Sequence, residues 1–388
     1  MRRHCLAKTS SPRAFLALFA LWIGAGAGAR AAHAGESLRY DLRGEVGGEY
    51  DSNVHRTEII DGIANAPIVG SPLARVALNG HLADVVADGQ QVAVSATLAG
   101  KVFTAPGAGD EDVLLAATSA RWRMAVGEKS GLGLQALYYE AFQRASSDPA
   151  DAPDRRDFRS LTPTLSFDSR VGSNAVLAGS AGYRSFVFKS DLDFDFHGPV
   201  GSLDLRWTRE AADGASDLEL TLGASGERRA FSGPAFNPSV ASPPLRRDTF
   251  LVGHIDLTHA GRVLLGGGYA LQWNGSNSYG DALTRHVLAL RFATALPFGC
   301  YLAARGELIL AQYHDPVALG QNPTTGQLLS IDDENRNSLR ADLSRALSER
   351  MQLLARYTIY ANEIGLSSSV AHYRRQTFLL SLAFALDH

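Results

Sequence analysis

The sequence predicts an all-β fold: a 16-stranded antiparallel transmembrane β-barrel with periplasmic termini, short periplasmic turns and longer extracellular loops. Three observations predict it. Sixteen segments alternate apolar and polar residues with a period of two. The connections between them alternate short and long. After the N-terminal leader, no segment holds the roughly 18 consecutive apolar residues that a membrane-crossing helix needs.

The leader comes first in the chain. Arg2, Arg3, Lys8 and Arg13 precede an apolar run from Ala14 to about Ala29, and Ala32-His33-Ala34 follows with small residues. This is the basic, apolar and cleavage-site order of a secretory signal, with cleavage expected after Ala34. The expected domains are therefore a signal peptide, 1–34, and one barrel, 35–388. Cys5 precedes the apolar run and so is not placed as a lipoprotein cysteine. Five of the 37 Lys and Arg lie in the leader and none of the 40 acids does, so the mature chain carries a formal charge of −8. That balance argues against a broad nucleic-acid face. Cys300 is the one cysteine left, which excludes an intrachain disulfide and a cysteine metal site. The mean hydropathy near zero would suit a soluble protein. In a barrel, however, only every second residue faces lipid.

Strands are predicted near 37–50, 73–87, 90–104, 112–127, 131–144, 157–170, 174–189, 198–211, 216–231, 246–260, 262–274, 283–297, 299–313, 335–348, 350–363 and 372–387. In the last, Phe378, Leu380, Leu382, Phe384 and Leu386 share one face, and Thr377, Leu379, Ser381, Ala383 and Ala385 the other. Before it, Leu353, Ala355, Tyr357 and Ile359 oppose Gln352, Arg356, Thr358 and Tyr360. Leu339, Ala341 and Leu343 likewise oppose Arg340, Asp342 and Ser344. Successive strand side chains point to opposite faces, whereas a helix needs spacings of three and four.

Tight turns are expected after even-numbered strands, at Asp88-Gly89, Glu128-Lys129-Ser130-Gly131, Gly172-Ser173-Asn174, Asp213-Gly214, Ala260-Gly261, Pro297-Phe298-Gly299 and Ser348-Glu349-Arg350. Gly, Asn and Asp supply the positive φ of hairpin turns. The longest loops fall near 51–72 and 314–334. Tyr50, Phe103, Tyr138, Tyr139, Phe142, Phe231, Trp273, Phe298, Tyr301, Tyr313 and Tyr360 lie toward strand ends and are expected in interfacial girdles. A soluble sandwich or propeller would also alternate. The long regular strands, the short/long connections and the absence of a blade repeat weigh against it.

The faces opposite the apolar ones carry Arg39, Asp41, Arg43, Glu45, Arg121, Arg123, Asp204, Arg206, Glu219, Glu227, Asp256, Arg291, Arg305, Glu307, Arg340, Asp342 and Arg356. In a water-filled lumen such rows make ion-pair ladders and set selectivity. The lumen and selectivity candidates are Arg121, Arg123, Asp204, Arg206, Glu219, Arg291, Arg305, Glu307, Arg340, Asp342 and Arg356. An interior stapled shut by the same charges is the competing reading. For an enzyme, the best candidates are His254 and Asp256 on one face, with His259 nearby; no G-x-S-x-G accompanies them. Asp191, Asp193 and Asp195, and the run Asp332-Asp333-Glu334, offer oxygen ligands without an EF-hand's Gly and terminal Glu. No catalytic residue, metal site or cofactor is therefore assigned.

Gly47-Gly48-Glu49-Tyr50-Asp51-Ser52-Asn53-Val54 resembles the Y-D-[SD]-N segment found where the first strand meets its loop in several proteobacterial outer-membrane barrel families. These include polysaccharide-export porins and surface-lipoprotein assembly barrels. Asn335-Arg336-Asn337-Ser338-Leu339-Arg340 and Tyr373-Arg374-Arg375-Gln376 resemble strand starts in the same families. The resemblance implies a Gram-negative outer membrane and the barrel assembly machinery as a partner. Helical repeats usually precede such barrels, and none is read here. Their last strand commonly ends on an aromatic residue, whereas here Phe384 is followed by Ala385-Leu386-Asp387-His388. The assembly signal is accordingly expected in Phe378, Leu380, Leu382, Phe384 and Leu386. The leading expectation is a porin-like channel, or an export conduit for polar solutes or polymer such as exopolysaccharide, in contact with outer-membrane lipid. The alternative is a structural barrel that anchors a motility or adhesion machine through periplasmic or surface partner proteins. An outer-membrane hydrolase is the distant alternative.

Overall fold

The computed structural model describes residues 38–57, 59–60, 63–64, 66–143, 157–189, 192–210, 217–315, 337–361, 364–365, 371–372 and 374–387. The leader, Asp191, the run Asp332-Asp333-Glu334 and the Asp213-Gly214 turn lie outside the described residues.

Sixteen long strands form the wall. They are β1 (Arg39–Asp51), β2 (Ser71–Ala87), β3 (Gln90–Phe103) and β4 (Val113–Val126). Next come β5 (Ser130–Gln143), β6 (Phe158–Val171), β7 (Ala175–Phe188) and β8 (Phe196–Glu210). Then follow β9 (Asp217–Pro234), β10 (Leu245–Ala260), β11 (Val263–Ser276) and β12 (Leu283–Leu296). The last four are β13 (Cys300–Tyr313), β14 (Asn337–Ala346), β15 (Met351–Ala361) and β16 (Arg374–Asp387). Each pairs antiparallel with the next, and β16 pairs with β1, so the sheet is a closed barrel without an edge. Closure satisfies every strand's ladder within the wall, as a structure exposed to hydrocarbon requires. The strands match the predicted ranges to within three residues. β14 is short, and beyond its reach the two-residue strand Ile364–Gly365 pairs in parallel with Leu310–Ala311.

The barrel has a turn end and a loop end. At the turn end Gly89, Gly127, Gly172 and Gly299 take positive φ. The predicted turn at 128–131 is shifted: Gly127 holds the positive φ, and Ser130 and Gly131 already belong to β5. At the loop end several connections start or finish on a polar cap. Asp112, Asp157 and Asp195 accept the amides of Phe103, Gln143 and Phe188, which would otherwise lack a ladder partner.

Burial is inverted relative to a water-soluble fold. Apolar side chains on the outer face stand exposed along every part of the wall, among them Val46, Val76, Leu165, Leu203, Leu257, Leu290, Leu343 and Phe378. Leu165 and Leu290, at the middles of β6 and β12, are 64% and 69% exposed. The least accessible groups are on the inner face and are mostly charged or polar: Glu49, Asp51, Arg75, Lys101, Asp248 and Arg375. An exposed apolar surface of this extent is unstable in water and suits hydrocarbon.

Candidate functional site: the charged lumen

Strand register places all eleven lumen candidates on the inner face. Arg123 pairs with Gly133, Asp204 with Gly223 and Arg356 with Asp342, each level with inward neighbours. Arg291, Arg305 and Arg340 are consecutive register partners on β12, β13 and β14, so three guanidiniums stand side by side in one row. Each is held by a different acid. Arg291 Nη2 lies 2.8 Å from Asp256, Arg305 Nη2 3.2 Å from Glu307, and Arg340 Nη2 2.6 Å from Asp342. Arg356 Nε donates to the same Asp342 at 2.9 Å. Arg206 faces Glu219 at 3.6 Å. Arg121 has no ion-pair partner among the described residues.

Glycines let the ladders cross strands. Asp204 and His254 approach to 3.5 Å although β9 runs between them, because Gly223 stands there and a Cβ would lie 2.1 Å from Asp204 Oδ1. Asp256 and Arg291 meet across β11, where a Cβ on Gly268 would lie 2.5 Å from Asp256 Oδ1. Arg123 reaches Asp168 with two bonds, 2.9 and 2.7 Å, over β5, and a Cβ on Gly131 would lie 2.5 Å from its guanidinium. Small residues such as Gly266-Gly267-Gly268 thus make room for side chains of their neighbours.

Accessibility changes along the axis. Near the turn end Arg43, Arg206 and Arg305 have more than half of their side chains exposed. Toward the loop end the inner face is packed. Glu49 there holds both Arg75 and Lys101, at 3.4 and 3.0 Å. Glu227 joins Arg184 and Arg229, and Arg246 bridges Asp248 and Asp281. Burial pushes the Asp281 carboxyl above its ordinary value, partly offset by Arg246.

An arc of inward rings crosses this packed zone. Tyr139, Phe158, Phe186 and Phe196 stack in sequence and Phe231 tilts against the last, at 4.8–5.4 Å between centroids. Arg229 covers Phe196 and Phe250, and Arg246 covers Phe231. This corrects the expected girdles. Phe103, Tyr139, Phe231, Tyr301, Tyr313 and Tyr360 share the inner face by register, while Tyr50, Tyr138, Phe142 and Trp273 face outward. Aromatic residues near strand ends report β-propensity as well as interface position, and here stacking and cation–π contacts hold the inward ones.

The first loop turns back onto the seam. Asp51 accepts Arg375 Nε at 2.8 Å and the Asn53 amide at 3.0 Å. Ser52 Oγ accepts the Gln376 amide, and Asn53 Nδ2 donates to the carbonyls of Thr57 and Arg374. The two segments singled out in the sequence, 47–54 and 373–376, therefore meet, and each polar side chain of Asp51-Ser52-Asn53 ties the first strand to the last. Beyond them, His55 and Arg56 contact Glu111 at 3.7 and 3.1 Å. The Glu111 carboxylate beside it holds the His55 imidazole above its ordinary value.

His254 and Asp256 do share the inner face, but His254 lies 3.5 Å from Asp204, and Asp256 pairs with Arg291. His259 lies on the opposite face by register. Among the described residues no cluster of three or more His, Cys, Asp or Glu has a metal-binding arrangement. Phe378, Leu380, Phe384 and Leu386 are exposed on the outer face of β16.

No family model matches the chain, and no curated protein matches it. Solved structures do. The crystal structure of OccK8 (OprE) from Pseudomonas aeruginosa matches at 10% identity, with 91% of this chain and 99% of that chain covered and a TM-score of 0.45. OpdQ from Pseudomonas aeruginosa matches at 11% identity, with coverages of 90% and 97% and a TM-score of 0.43. A mutant Rh. blastica porin matches at 9% identity, with coverages of 90% and 100% and a TM-score of 0.40. At such scores the function is read from the barrel's own residues.

Proposed function

We propose that this chain is an outer-membrane channel for small polar solutes. The observation that carries the reading is the inverted burial: a water-exposed charged row inside and an exposed apolar wall outside. Both termini are placed in the periplasm, with the turns there and the loops outside, because short turns and long loops divide that way in such barrels. Residues 1–34 would be removed on export. The barrel assembly machinery would read the outward stretch Phe378, Leu380, Leu382, Phe384 and Leu386.

Arg291, Arg305 and Arg340 form the selectivity row, with Arg121, Arg123, Arg206 and Arg356 and the acids Asp204, Glu219, Glu307 and Asp342 shaping the field around it. Small solutes are favoured over polymer because the loop end is packed with inward side chains, from Leu73 and Asp51 to Phe158 and Asp248. An extended sugar chain would need that zone cleared. The same packing supports a second reading, a filled barrel that anchors partner proteins.

Planar-bilayer recording of residues 35–388 tests both. A channel gives stable open steps, and Arg291→Ala with Arg340→Ala shifts its anion/cation permeability ratio toward cations at least twofold. Verified insertion without conductance removes the channel and leaves the anchor. Conductance with an unchanged ratio removes the selectivity row.

A further inference from the structure

On the outer wall, arginines gather along one stretch of the loop-end rim, with a further outward arginine, Arg374, on β16. Arg159, Arg228 and Arg247 lie on β6, β9 and β10, at or toward the loop end, and all three are exposed. Register assigns them outward. Arg159 shares its face with Leu161 and Leu165, Arg228 with Leu222, and Arg247 with Leu251 and Ile255. None of the three has an ion-pair partner among the described residues. Lys189, just after β7, lies between them but is held by Glu140 and covers the Phe142 ring. Asp157 and Asp195 lie nearby, with carboxylates turned to backbone amides. His197 of β8 also faces outward, against Tyr183. The three unpaired arginines thus stand on β6, β9 and β10, spanning five adjacent strands, roughly 20 Å at ordinary strand spacing.

Directly along the wall from Arg159 is an apolar groove of about 600 Å3. Its outward side chains include Trp122, Leu134, Pro163, Leu165 and Tyr183. Pro163 and Leu165 continue the same face of β6 that carries Arg159. Among the described residues, the far end of the barrel lacks this combination. There the outward arginines, Arg209 and Arg345, stand on β8 and β14, six strands apart.

We propose that this rim and groove bind a phosphorylated glycolipid of the surrounding leaflet, with phosphates on Arg159, Arg228 and Arg247 and acyl chain in the groove. The inference rests on the membrane reading above. Guanidinium forks match phosphate oxygens with paired bonds, and near a membrane surface each basic residue adds about fivefold to the attraction for anionic lipid. A chain lying against Leu165 covers apolar wall while the head group stays at the charged rim. The position also fixes orientation: the loop end faces the leaflet that holds the glycolipid.

The test uses the refolded barrel in detergent, with heat-modifiable gel migration confirming closure of every variant. Binding of bisphosphorylated lipid A is compared with its dephosphorylated form and with phosphatidylglycerol. The expected result is preference for the bisphosphorylated lipid, weakened about a hundredfold by Arg159→Gln/Arg228→Gln/Arg247→Gln and unchanged by Arg209→Gln/Arg345→Gln. If the triple variant does not close, Arg159→Gln alone is expected to lose about fivefold. Equal binding of the dephosphorylated lipid or phosphatidylglycerol overturns the proposal, as does equal loss from both sets of variants. A closed barrel that fails here leaves the membrane reading standing, whereas a chain that never closes in detergent removes both.

Discussion

Removing Arg375 should destabilise the barrel at its seam. Asp51 is fully buried and Arg375 is 4% exposed, and the pair joins the end of β1 to the start of β16. The guanidinium also covers the Tyr360 ring at 5.4 Å. Arg375→Gln leaves a carboxylate in a packed interior with the Asn53 amide still bonded to it. Breaking one side of a buried pair costs about 3–5 kcal/mol, most of it the price of the stranded charge. At roughly 2.5 kcal/mol per molar of urea, the unfolding midpoint in lipid vesicles should fall by about 1.5 M, read by tryptophan fluorescence. Asp51→Asn should cost a similar amount. The double variant should cost less than the sum by about 2 kcal/mol, since it strands no charge. Additive losses, or an Arg375→Gln cost below about 1 kcal/mol, would refute the seam lock.

Two further outcomes follow from the lumen and the first loop. Gly131→Val puts a side chain where the Arg123 guanidinium lies, so Asp168 loses its partner and the permeability ratio should move without loss of insertion; an unchanged ratio contradicts the crossing geometry. The His55–Glu111 contact should weaken with rising pH. His55 is raised in the folded state, so its contribution is complete below the unfolded value near 6.5 and disappears as pH passes the higher folded value. With half-open solvent access the effect is about 0.5 kcal/mol or less. It should appear as slower amide exchange at Val54 and Thr57 in wild type than in His55→Gln at about pH 6, with no difference at high pH.

Strands and faces were legible because period two survives even where individual residues are small. Arg291, Arg305 and Arg340 could be assigned inward from Leu290, Leu339 and their alternation alone. That Arg340 joins the row of the other two could not, since β13 and β14 are separated by a long loop, and register there is set by pairing and not by local pattern. The crossing glycines were visible only as small residues; their purpose depends on which side chains lean over them. The aromatic arc was misplaced for a related reason. Tyr138 and Tyr139 are adjacent and point to opposite faces, so clustering near a strand end does not assign a side. The meeting of Asp51-Ser52-Asn53 with Arg374-Arg375-Gln376 joins residues more than 320 positions apart, and only barrel closure brings them together.

The most direct test of the inverted barrel is the cost of Leu290→Arg in lipid vesicles. Leu290 is 69% exposed at the middle of β12. On a water-facing surface the substitution would change stability by no more than about 0.5 kcal/mol. Facing the bilayer midplane, it should cost about 2–4 kcal/mol, and the same change nearer the strand end, at Leu296, about 1 or less. A flat response at both positions would contradict the membrane-facing wall on which the channel reading depends.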